Sequence, residues 1–433
     1  MMKTILYPPK ETWPDLCRRP VFDASSLSAN IMTIIDKVKE EGDKALIEFT
    51  QKFDKISLPD LSVSEAEIES AINLVSDDLK NAIILAADNI EKFHRSQLIS
   101  EEPVTTMPGV TCSRKNVAIE KVGLYIPGGT APLFSTVLML AIPAKIAGCE
   151  RVILCTPPGP DGKINPVILY SAKLAGIKEI YKVGGAQAIA AMAFGTETIP
   201  PVNKIFGPGN QYVTRAKEMV QSSGVAIDLP AGPSEILVIA DSSAYPAFVA
   251  ADLLSQAEHG PDSQVVLVTD NEKTLKNVKN EIKKQLDKLL RKDLATKSMN
   301  NSLFILFNNR EDCINFSNEY APEHLIINTI LPWELAEKVK NAGSVFVGKF
   351  SCESAGDYAS GTNHTLPTNN YARSYSGVSV DSFIKKITFQ EITAEGIRNI
   401  GPAIQIMAEA EGLTGHKNAV SLRLKSVGHV RSR

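Results

Sequence analysis

The chain has 433 residues, 44% of them hydrophobic, so it can bury a substantial core, and its length favours more than one domain. Its formal net charge of -3 gives no electrostatic footprint for nucleic acid or an anionic membrane, so small molecules are the expected partners. The N-terminus lacks a signal-peptide core, no stretch reads as a membrane span, and the six cysteines are scattered. These features predict a cytoplasmic protein with reduced thiols.

The first hundred residues are predicted to be helical, because apolar residues recur at spacings of three and four over 28–49 and 65–94. From residue 122 onward, short β-rich runs alternate with helical patterns, which indicates βαβ units and mainly parallel sheet. From residue 381 the tail is predicted to be helical again, most clearly over 402–411, with Pro402 in the first turn. The predicted strands are 122–126, 151–155, 179–183, 236–240, 264–268, 303–306 and 344–347.

Two stretches, 122–156 and 236–269, share one order of elements: strand, proline-containing loop, helix, glycine-containing turn, strand. This rhythm suggests two similar α/β units. The side chains of the two stretches resemble each other only weakly, and repeated βαβ geometry alone would give the same rhythm. Duplication and coincidence therefore both remain open.

Glycine-rich turns that open helices are candidate seats for an anion or a cofactor, because a helix N-terminus presents unpaired N–H groups. Such turns occur at 127–130, 183–187 and 206–210, and none matches the GxGxxG dinucleotide fingerprint. They are either nucleotide-binding turns or simple tight turns. The segment 230–235 ends in Ser234 and Glu235 before a strand, and it could equally be a linker.

Four of the six histidines stand in short polar segments, at 257–260, 321–324, 361–364 and 414–417. Imidazole titrates near neutrality and is the commonest nitrogen ligand of zinc, so these segments suggest metal binding, proton transfer or both. Gln256 and His259 share a face at the end of a predicted helix over 248–259 and could reach one ion. Asp357, in the polar segment 352–364, could complete the set. A polar helix end and a solvated turn are the competing interpretations.

Glu323 and His324 place an acid and a base together where a loop enters a strand. Adjacent residues of a regular strand face opposite sides, so both reach one substrate only if the backbone bends there. A histidine beside an exposed glutamate of no functional role is the alternative. Further on, Gly412 and Gly415 lie between Glu411 and His416. These glycines allow an arm that packs on another subunit, and a frayed tail is the alternative.

Together these residues resemble the histidinol dehydrogenase family, from about residue 28 to residue 424. Seven blocks carry the resemblance in one order: VGLYIPGG at 122–129, VGGAQA at 183–188, IFGPGN at 205–210, PAGPSE at 230–235, LSQAEHGPD at 254–262, APEHL at 321–325 and SAGDYASGTNH at 354–364.

The resemblance implies an α/β fold of two incomplete Rossmann-like domains with N- and C-terminal helical extensions. It divides the chain into an N-terminal extension (1–23), a first domain (24–125 with 234–380) that carries the zinc and catalytic residues, a second domain (126–233) and a C-terminal helical dimerisation domain (381–433). It implies oxidation of L-histidinol through L-histidinal to L-histidine with two NAD⁺, at the end of histidine biosynthesis.

The resemblance also assigns residues. The implied zinc ligands are Gln256, His259 and Asp357. The fourth implied ligand is His416 of the partner subunit in a homodimer. Glu323 and His324 are the implied acid–base residues. The implied substrate contacts are Ser234, His364 and Glu411 together with the zinc ligands and His324, and the implied NAD contacts are Tyr125, Gln187 and Asn210.

The chemistry expected of these residues follows from the reaction. Two hydrides must leave, a base must take the hydroxyl proton, and water must add to the aldehyde between the two steps. His324 is the expected base and Glu323 the group that activates water. Zinc is expected to orient the substrate rather than to generate hydroxide. A zinc hydrolase and a non-catalytic two-lobed binding protein are the alternatives of other classes.

Overall fold

The computed structural model describes residues 2–19, 24–128, 132–230 and 232–429. Gly129 and Thr130 of the turn at 127–130, and Ala231 of the segment 230–235, lie outside these described residues. The strands are β1 (Lys3–Leu6), β2 (Val104–Met107), β3 (Val110–Ala118), β4 (Lys121–Tyr125), β5 (Arg151–Cys155), β6 (Glu179–Tyr181), β7 (Lys204–Phe206), β8 (Ala226–Ile227), β9 (Glu235–Ala240), β10 (Gln264–Thr269), β11 (Leu303–Leu306), β12 (His324–Asn328), β13 (Ser344–Val347) and β14 (Ile384–Ile392).

Helices precede, separate and follow these strands. They are α1 (Trp13–Leu16), α2 (Ala24–Glu41), α3 (Asp43–Phe53), α4 (Glu65–Ile72), α5 (Asp77–Arg95), α6 (Phe134–Ala147), α7 (Pro166–Ala175), α8 (Gly185–Phe194), α9 (Gln211–Gln221), α10 (Pro246–Ala257), α11 (Glu272–Leu286), α12 (Lys292–Asn300), α13 (Arg310–Tyr320), α14 (Pro332–Ala336), α15 (Glu353–Tyr358), α16 (Ala394–Ala410) and α17 (Thr414–His429). Within the part of the chain that the structure describes, no helix is both long and apolar enough to cross a membrane.

The chain divides into two compact units. The first unit contains the residues up to Gln97 and Ile119–Phe383, and it holds two parallel sheets. The second unit contains Leu98–Ala118 and the chain from Ile384 onward, and it holds an antiparallel sheet with α16 and α17.

Both parallel sheets have the strand order of a Rossmann-like fold that lacks its last strand. One sheet has the order β6-β5-β4-β7-β8, and the other has β1-β11-β10-β9-β12-β13, with β1 added at the edge. Numbered within each sheet, both orders are 3-2-1-4-5, against 3-2-1-4-5-6 in the complete fold. The predicted α/β fold with parallel sheets is confirmed, and both strand orders are consistent with two incomplete Rossmann-like domains. The stretches 122–156 and 236–269 form the first strand–helix–strand of each sheet, and the question of duplication remains open.

Alternation along the strands explains why the six-stranded sheet is covered on both faces. Ile236 and Val238 of β9 pack into one apolar cluster with α10 and α11, whereas Leu237 and Ile239 pack into another with α13. Successive side chains of a strand point to opposite faces, so a strand buried on both sides reads as a continuous apolar run. This is why the sequence shows these strands clearly.

The helices between residues 24 and 97 pack over the five-stranded sheet. Leu27 and Ile31 of α2 share an apolar cluster with α8, and Ile83 and Ile90 of α5 share another with α6. The predicted domain division groups 24–125 with 234–380 and remains a prediction. The described packing associates α2–α5 with the strands between 121 and 227.

In the second unit, the sequence prediction was wrong over part of the tail. Residues 384–392 form β14, which pairs antiparallel with β3 from Ile384 opposite Ala118 to Ile392 opposite Val110. The sequence did not reveal this strand, because its partner β3 lies far away along the chain. Pro402 lies inside α16, which begins after the N-cap Thr393, and not in a first turn.

Candidate active site

The candidate active site lies at the amino-terminal edge of the six-stranded sheet. Glu323 immediately precedes β12 and His324 opens it. The C-terminal end of α10 supplies Gln256, and the short helix α15 supplies Asp357. The fold therefore brings together carboxylate, imidazole and amide side chains from segments up to about a hundred residues apart in the chain.

Three side chains form a cluster that can hold a metal ion. The possible ligand atoms of His259, Glu353 and Asp357 all lie within 4.8 Å of one another. Glu353 is buried, Asp357 is partly buried and His259 is exposed in the single chain. One imidazole nitrogen and two carboxylates suit zinc, which accepts both nitrogen and oxygen ligands. The exposed side of the cluster leaves room for another ligand.

Gln256 adds an argument for a bound cation. Its side chain is 1% exposed, and within the described residues neither its amide oxygen nor its amide nitrogen has a hydrogen-bond partner. Glu353 Oε1 is also buried without a partner. Leaving such atoms unsatisfied costs about 1–3 kcal/mol each. An ion beside them would use the oxygens, so these residues fit a metal.

The buried carboxylates support the same conclusion electrostatically. Burial raises the pKa of Glu353 well above its usual range, and the nearby charges of Asp357 and Glu323 raise it further. Burial also raises the pKa of Asp357 to about 7. A divalent cation favours the ionised form of its carboxylate neighbours. The cluster therefore gains stability when a cation is present.

His324 has one hydrogen-bonded nitrogen and one free nitrogen. Its Nδ1 lies 3.2 Å from the backbone oxygen of Glu235, which can only accept, so Nδ1 carries the hydrogen. Nε2 then holds a lone pair, and it has no hydrogen-bond partner among the described residues. Nε2 lies 3.7 Å from Asp357 Oδ1. Burial lowers the pKa of His324 to about 3, so the ring is neutral and Nε2 keeps its lone pair.

The side chains of Glu323 and His324 lie close together, although adjacent residues of a regular strand would face opposite sides. Ala321, which ends α13, has φ of 50°, a left-handed conformation. Glu323 Oε2 lies 3.6 Å from His324 Nδ1 and accepts a hydrogen bond of 2.8 Å from the backbone N–H of Glu235. Burial raises the pKa of Glu323 well above its usual range, whereas this N–H favours the ionised form.

His364 is held between two elements. Its Nδ1 donates to the backbone oxygen of Asp357 at 2.9 Å, so Nε2 accepts from the hydroxyl of Thr136 on α6 at 3.0 Å. The histidine thus ties the cluster on α15 to the helix over the five-stranded sheet. Burial lowers the pKa of His364 to about 4, which keeps the ring neutral.

A cavity of about 1560 Å³ opens at the carboxyl end of the five-stranded sheet. Tyr125, Gln187 and Asn210 all line it. This is where the strand order reverses between β4 and β7, the usual ligand position in open α/β sheets. Asn210 caps α9 by accepting hydrogen bonds from two backbone N–H groups, which leaves its amide nitrogen as a donor. The cavity's size and its mixed polar and apolar lining fit a dinucleotide such as the one that the resemblance implies.

The loop beneath this cavity is fixed by a buried ion pair. Lys217 and Asp228 pair with almost no exposure, and Lys217 also donates to Gly207 O at 2.8 Å. Asp228 accepts a hydrogen bond of 2.7 Å from the Gly207 N–H. Gly207 has φ of 126°, and a Cβ there would lie 2.0 Å from Tyr125 O. Only glycine fits this turn.

The remaining predicted residues lie elsewhere in the fold. Ser234 directly precedes β9, the strand beside β12. Glu411 ends α16 and His416 lies in the first turn of α17, both in the second unit. The segment predicted as a swinging arm or a frayed tail therefore begins a helix.

Sequence reasoning missed Glu353 and the pair of Lys217 with Asp228. Glu353 stands four residues before Asp357, a spacing that places both on one face of a helix. That spacing was available in the sequence. The ion pair had no comparable signal, because its members face each other only through the folded loop.

Comparisons with known proteins point to one family. A sequence model of the family described as histidinol dehydrogenase matches residues 17–424. A histidinol dehydrogenase from Bacteroides thetaiotaomicron is 60% identical over 427 residues, which cover 99% of this chain and 100% of that protein. The chloroplastic histidinol dehydrogenase of Arabidopsis thaliana is 54% identical and covers 94% of this chain and 88% of its own length.

A solved structure shows the same fold. The crystal structure of histidinol dehydrogenase from Elizabethkingia anophelis superposes with a TM-score of 0.97, at 59% identity and over 99% of each chain. At this likeness the two chains share their architecture throughout.

Proposed function

Because this chain belongs to the histidinol dehydrogenase family, we propose that it oxidises L-histidinol through L-histidinal to L-histidine with two NAD⁺. The observation that carries the proposal is the cluster of His259, Glu353 and Asp357 beside the free nitrogen of His324. The reaction closes histidine biosynthesis, and the six free cysteines support a cytoplasmic location.

We assign Gln256, His259 and Asp357 as zinc ligands, completed by the partner subunit's His416. The nitrogen and oxygen donors of the first three, and the unpaired amide of Gln256, support this assignment. When bound, zinc supplies a positive centre that orients the imidazole and amine of the substrate. Ser234, His364 and Glu411 are assigned to the surroundings of the substrate.

Nε2 of His324 takes the proton of the substrate hydroxyl while hydride leaves the carbon that bears this hydroxyl, which gives the aldehyde. Glu323 then accepts a proton from water as the water oxygen bonds to the aldehyde carbon, and His324 returns its proton to the aldehyde oxygen, which gives the hydrate. His324 takes a proton from the resulting hydrate as the second hydride leaves, which gives the acid. The free lone pair of Nε2 supports the role of His324, and the hydrogen bond from the N–H of Glu235 holds the carboxyl group of Glu323 beside it. Bound NAD⁺ supplies the hydride acceptor.

We assign Tyr125, Gln187 and Asn210 to the NAD⁺ site, because all three line the large cavity at the strand-order reversal. Gly185 donates its backbone N–H to the Tyr125 hydroxyl at 3.0 Å, which fixes that ring at the cavity wall. Burial raises the pKa of Tyr125 to about 12, so its hydroxyl stays protonated.

A homodimer follows from the assignment of His416 to the neighbouring subunit. The second unit carries large apolar side chains that are exposed in the single chain, which supports a protein partner there. These side chains are Ile387, Phe389, Ile392, Ile406, Met407, Leu413 and Leu422.

One assay tests the proposal. The purified chain is mixed with L-histidinol and NAD⁺, and reduced nicotinamide is followed by its near-ultraviolet absorbance, with and without a zinc chelator. We expect two NADH for each histidinol consumed and loss of activity with the chelator. No NADH with the metal-loaded protein would reject the proposal, and hydrolysis of an added ester or amide would favour the zinc hydrolase.

A further inference from the structure

The NAD⁺ cavity lacks an acidic residue where Rossmann-like folds usually carry one. In such folds an aspartate or glutamate that follows the second strand accepts a hydrogen bond from the ribose hydroxyl of NAD. Here the second strand is β5, which pairs with β4 and ends at Cys155. The next residues are Thr156, Pro157, Pro158 and Gly159, none of which carries a carboxylate. A ribose in this cavity needs an acceptor from elsewhere.

Asp54 supplies a carboxylate from outside the sheet. It caps the C-terminal end of α3 and lines the same cavity as Tyr125, Gln187 and Asn210. Its Oδ2 atom is buried, and within the described chain it has no hydrogen-bond partner. An unsatisfied buried carboxylate oxygen is costly, and a turn of the half-buried carboxyl group toward the cavity would let a ligand hydroxyl satisfy it.

The other acidic residues of this cavity are already engaged or exposed. Glu67 accepts from Lys182 at 2.6 Å and from the Ser64 N–H at 2.9 Å. Asp161 is exposed and accepts from the Lys163 N–H at 3.1 Å. Asp54 is therefore the acid in the described lining that combines burial with an unpaired oxygen.

We propose that Asp54 accepts a hydrogen bond from the adenosine ribose of bound NAD⁺ and selects NAD⁺ over NADP⁺. A carboxylate at this position pairs with a hydroxyl donor and repels the 2′-phosphate of NADP⁺. Lys52 and Lys163 also line the cavity, so a phosphate would meet cations once the carboxylate is removed. The inference rests on the proposed use of NAD⁺.

Binding of the reduced cofactors tests this inference without any turnover. The affinities of the metal-loaded protein for NADH and NADPH are measured by nicotinamide fluorescence, for the wild type, Asp54→Asn and Asp54→Ser. We expect tighter binding of NADH by the wild type. In both variants the ratio of NADH to NADPH affinity should fall roughly ten- to a hundredfold, the value of a hydrogen bond to a charged group. Asp60→Asn, which removes a charge six residues away and outside the cavity lining, should leave the ratio unchanged.

Each other result has a separate meaning. If the wild type binds neither NADH nor NADPH, the proposed cofactor fails and this inference fails with it. If the wild type prefers NADH but the two Asp54 variants lose affinity for NADH and NADPH equally, Asp54 contacts the adenine or supports the fold, and the selectivity role is overturned. A change of ratio in Asp161→Asn but not in Asp54→Asn would likewise overturn it. The thermal unfolding midpoint of each variant shows whether it is folded.

Discussion

The Nδ1 atom of His324 lies 3.2 Å from the backbone oxygen of Glu235, and this contact leaves Nε2 as the proton acceptor. Glu235 also donates its N–H to the carboxylate of Glu323 at 2.8 Å. Glu235 of β9 thus orients both residues of the proposed acid–base pair. Their positions depend on the pairing of β9 with β12, in which His324 lies opposite Ile236.

Replacing His324 tests the assignment of the base. His324→Ala should lower kcat for histidinol oxidation by roughly 10²- to 10⁴-fold, the usual value of general acid–base catalysis. Zinc content should remain near that of the wild type, because His324 is not among the proposed ligands. NADH formation and metal analysis measure the two effects. Near-normal turnover in this variant would remove His324 from the mechanism.

Removing the carboxylate of Glu353 should weaken metal binding. Glu353 lies within 4.8 Å of the ligand atoms of His259 and Asp357, so Glu353→Gln takes one negative charge from the cluster. We expect metal affinity to fall roughly 10- to 100-fold, as with residues that support metal ligands. Zinc loss to a colorimetric chelator measures it, with the exposed Glu334→Gln as the control. Unchanged zinc release would show that Glu353 does not contribute to the metal site.

The sequence predicted most strands of the two parallel sheets, apart from β1, β7 and β8, and none of the strands of the antiparallel sheet. Strands such as β9 and β10 are buried on both faces, so they read as unbroken apolar runs. By contrast, Thr388 of β14 pairs with Arg114 of β3 across more than 270 residues, and β14 is almost wholly exposed whereas β3 is mostly half-buried. No local pattern identifies such a pairing, because the partner's position depends on the whole chain.

The candidate site was predictable where its reactive side chains lie in short polar segments of the sequence. His259 and Asp357 stood out because imidazole and carboxylate in polar segments suggest a metal, and the structure places their ligand atoms within 4.8 Å. The tautomer of His324 was not predictable, because it depends on the oxygen of Glu235, 89 residues away. The position of Asp54 was not predictable either, because Asp54 reaches the cavity from the end of α3, which precedes the five-stranded sheet in the chain.

The buried pair of Lys217 and Asp228, beneath the proposed NAD⁺ cavity, should be important for stability. Lys217→Met leaves Asp228 buried without its cation, which should reduce the free energy of unfolding by about 3–5 kcal/mol. Because Lys217 also donates to Gly207 O, KM for NAD⁺ should rise. Denaturant titration and steady-state kinetics measure these effects.

A double variant separates charge from shape in this prediction. Lys217→Met/Asp228→Asn removes both charges and keeps an oxygen that accepts from the Gly207 N–H. It should recover most of the stability lost in Lys217→Met, because no uncompensated charge stays buried. If the double variant is as unstable as the single one, the loss comes from packing rather than from the unpaired charge.

Mixing two inactive variants tests whether each site takes a ligand from its neighbour. His259→Ala and His416→Ala should each be inactive alone, since each lacks one proposed zinc ligand. In a mixed dimer, the site on the His416→Ala chain keeps its own His259 and receives the partner subunit's His416. One of the two sites of the mixed dimer is therefore complete. Random mixing of equal amounts should therefore restore about a quarter of wild-type activity. Subunits are exchanged in mild denaturant, and tagged chains verify the mixed dimers. Verified mixed dimers without NADH formation would mean that the zinc site is built within one chain.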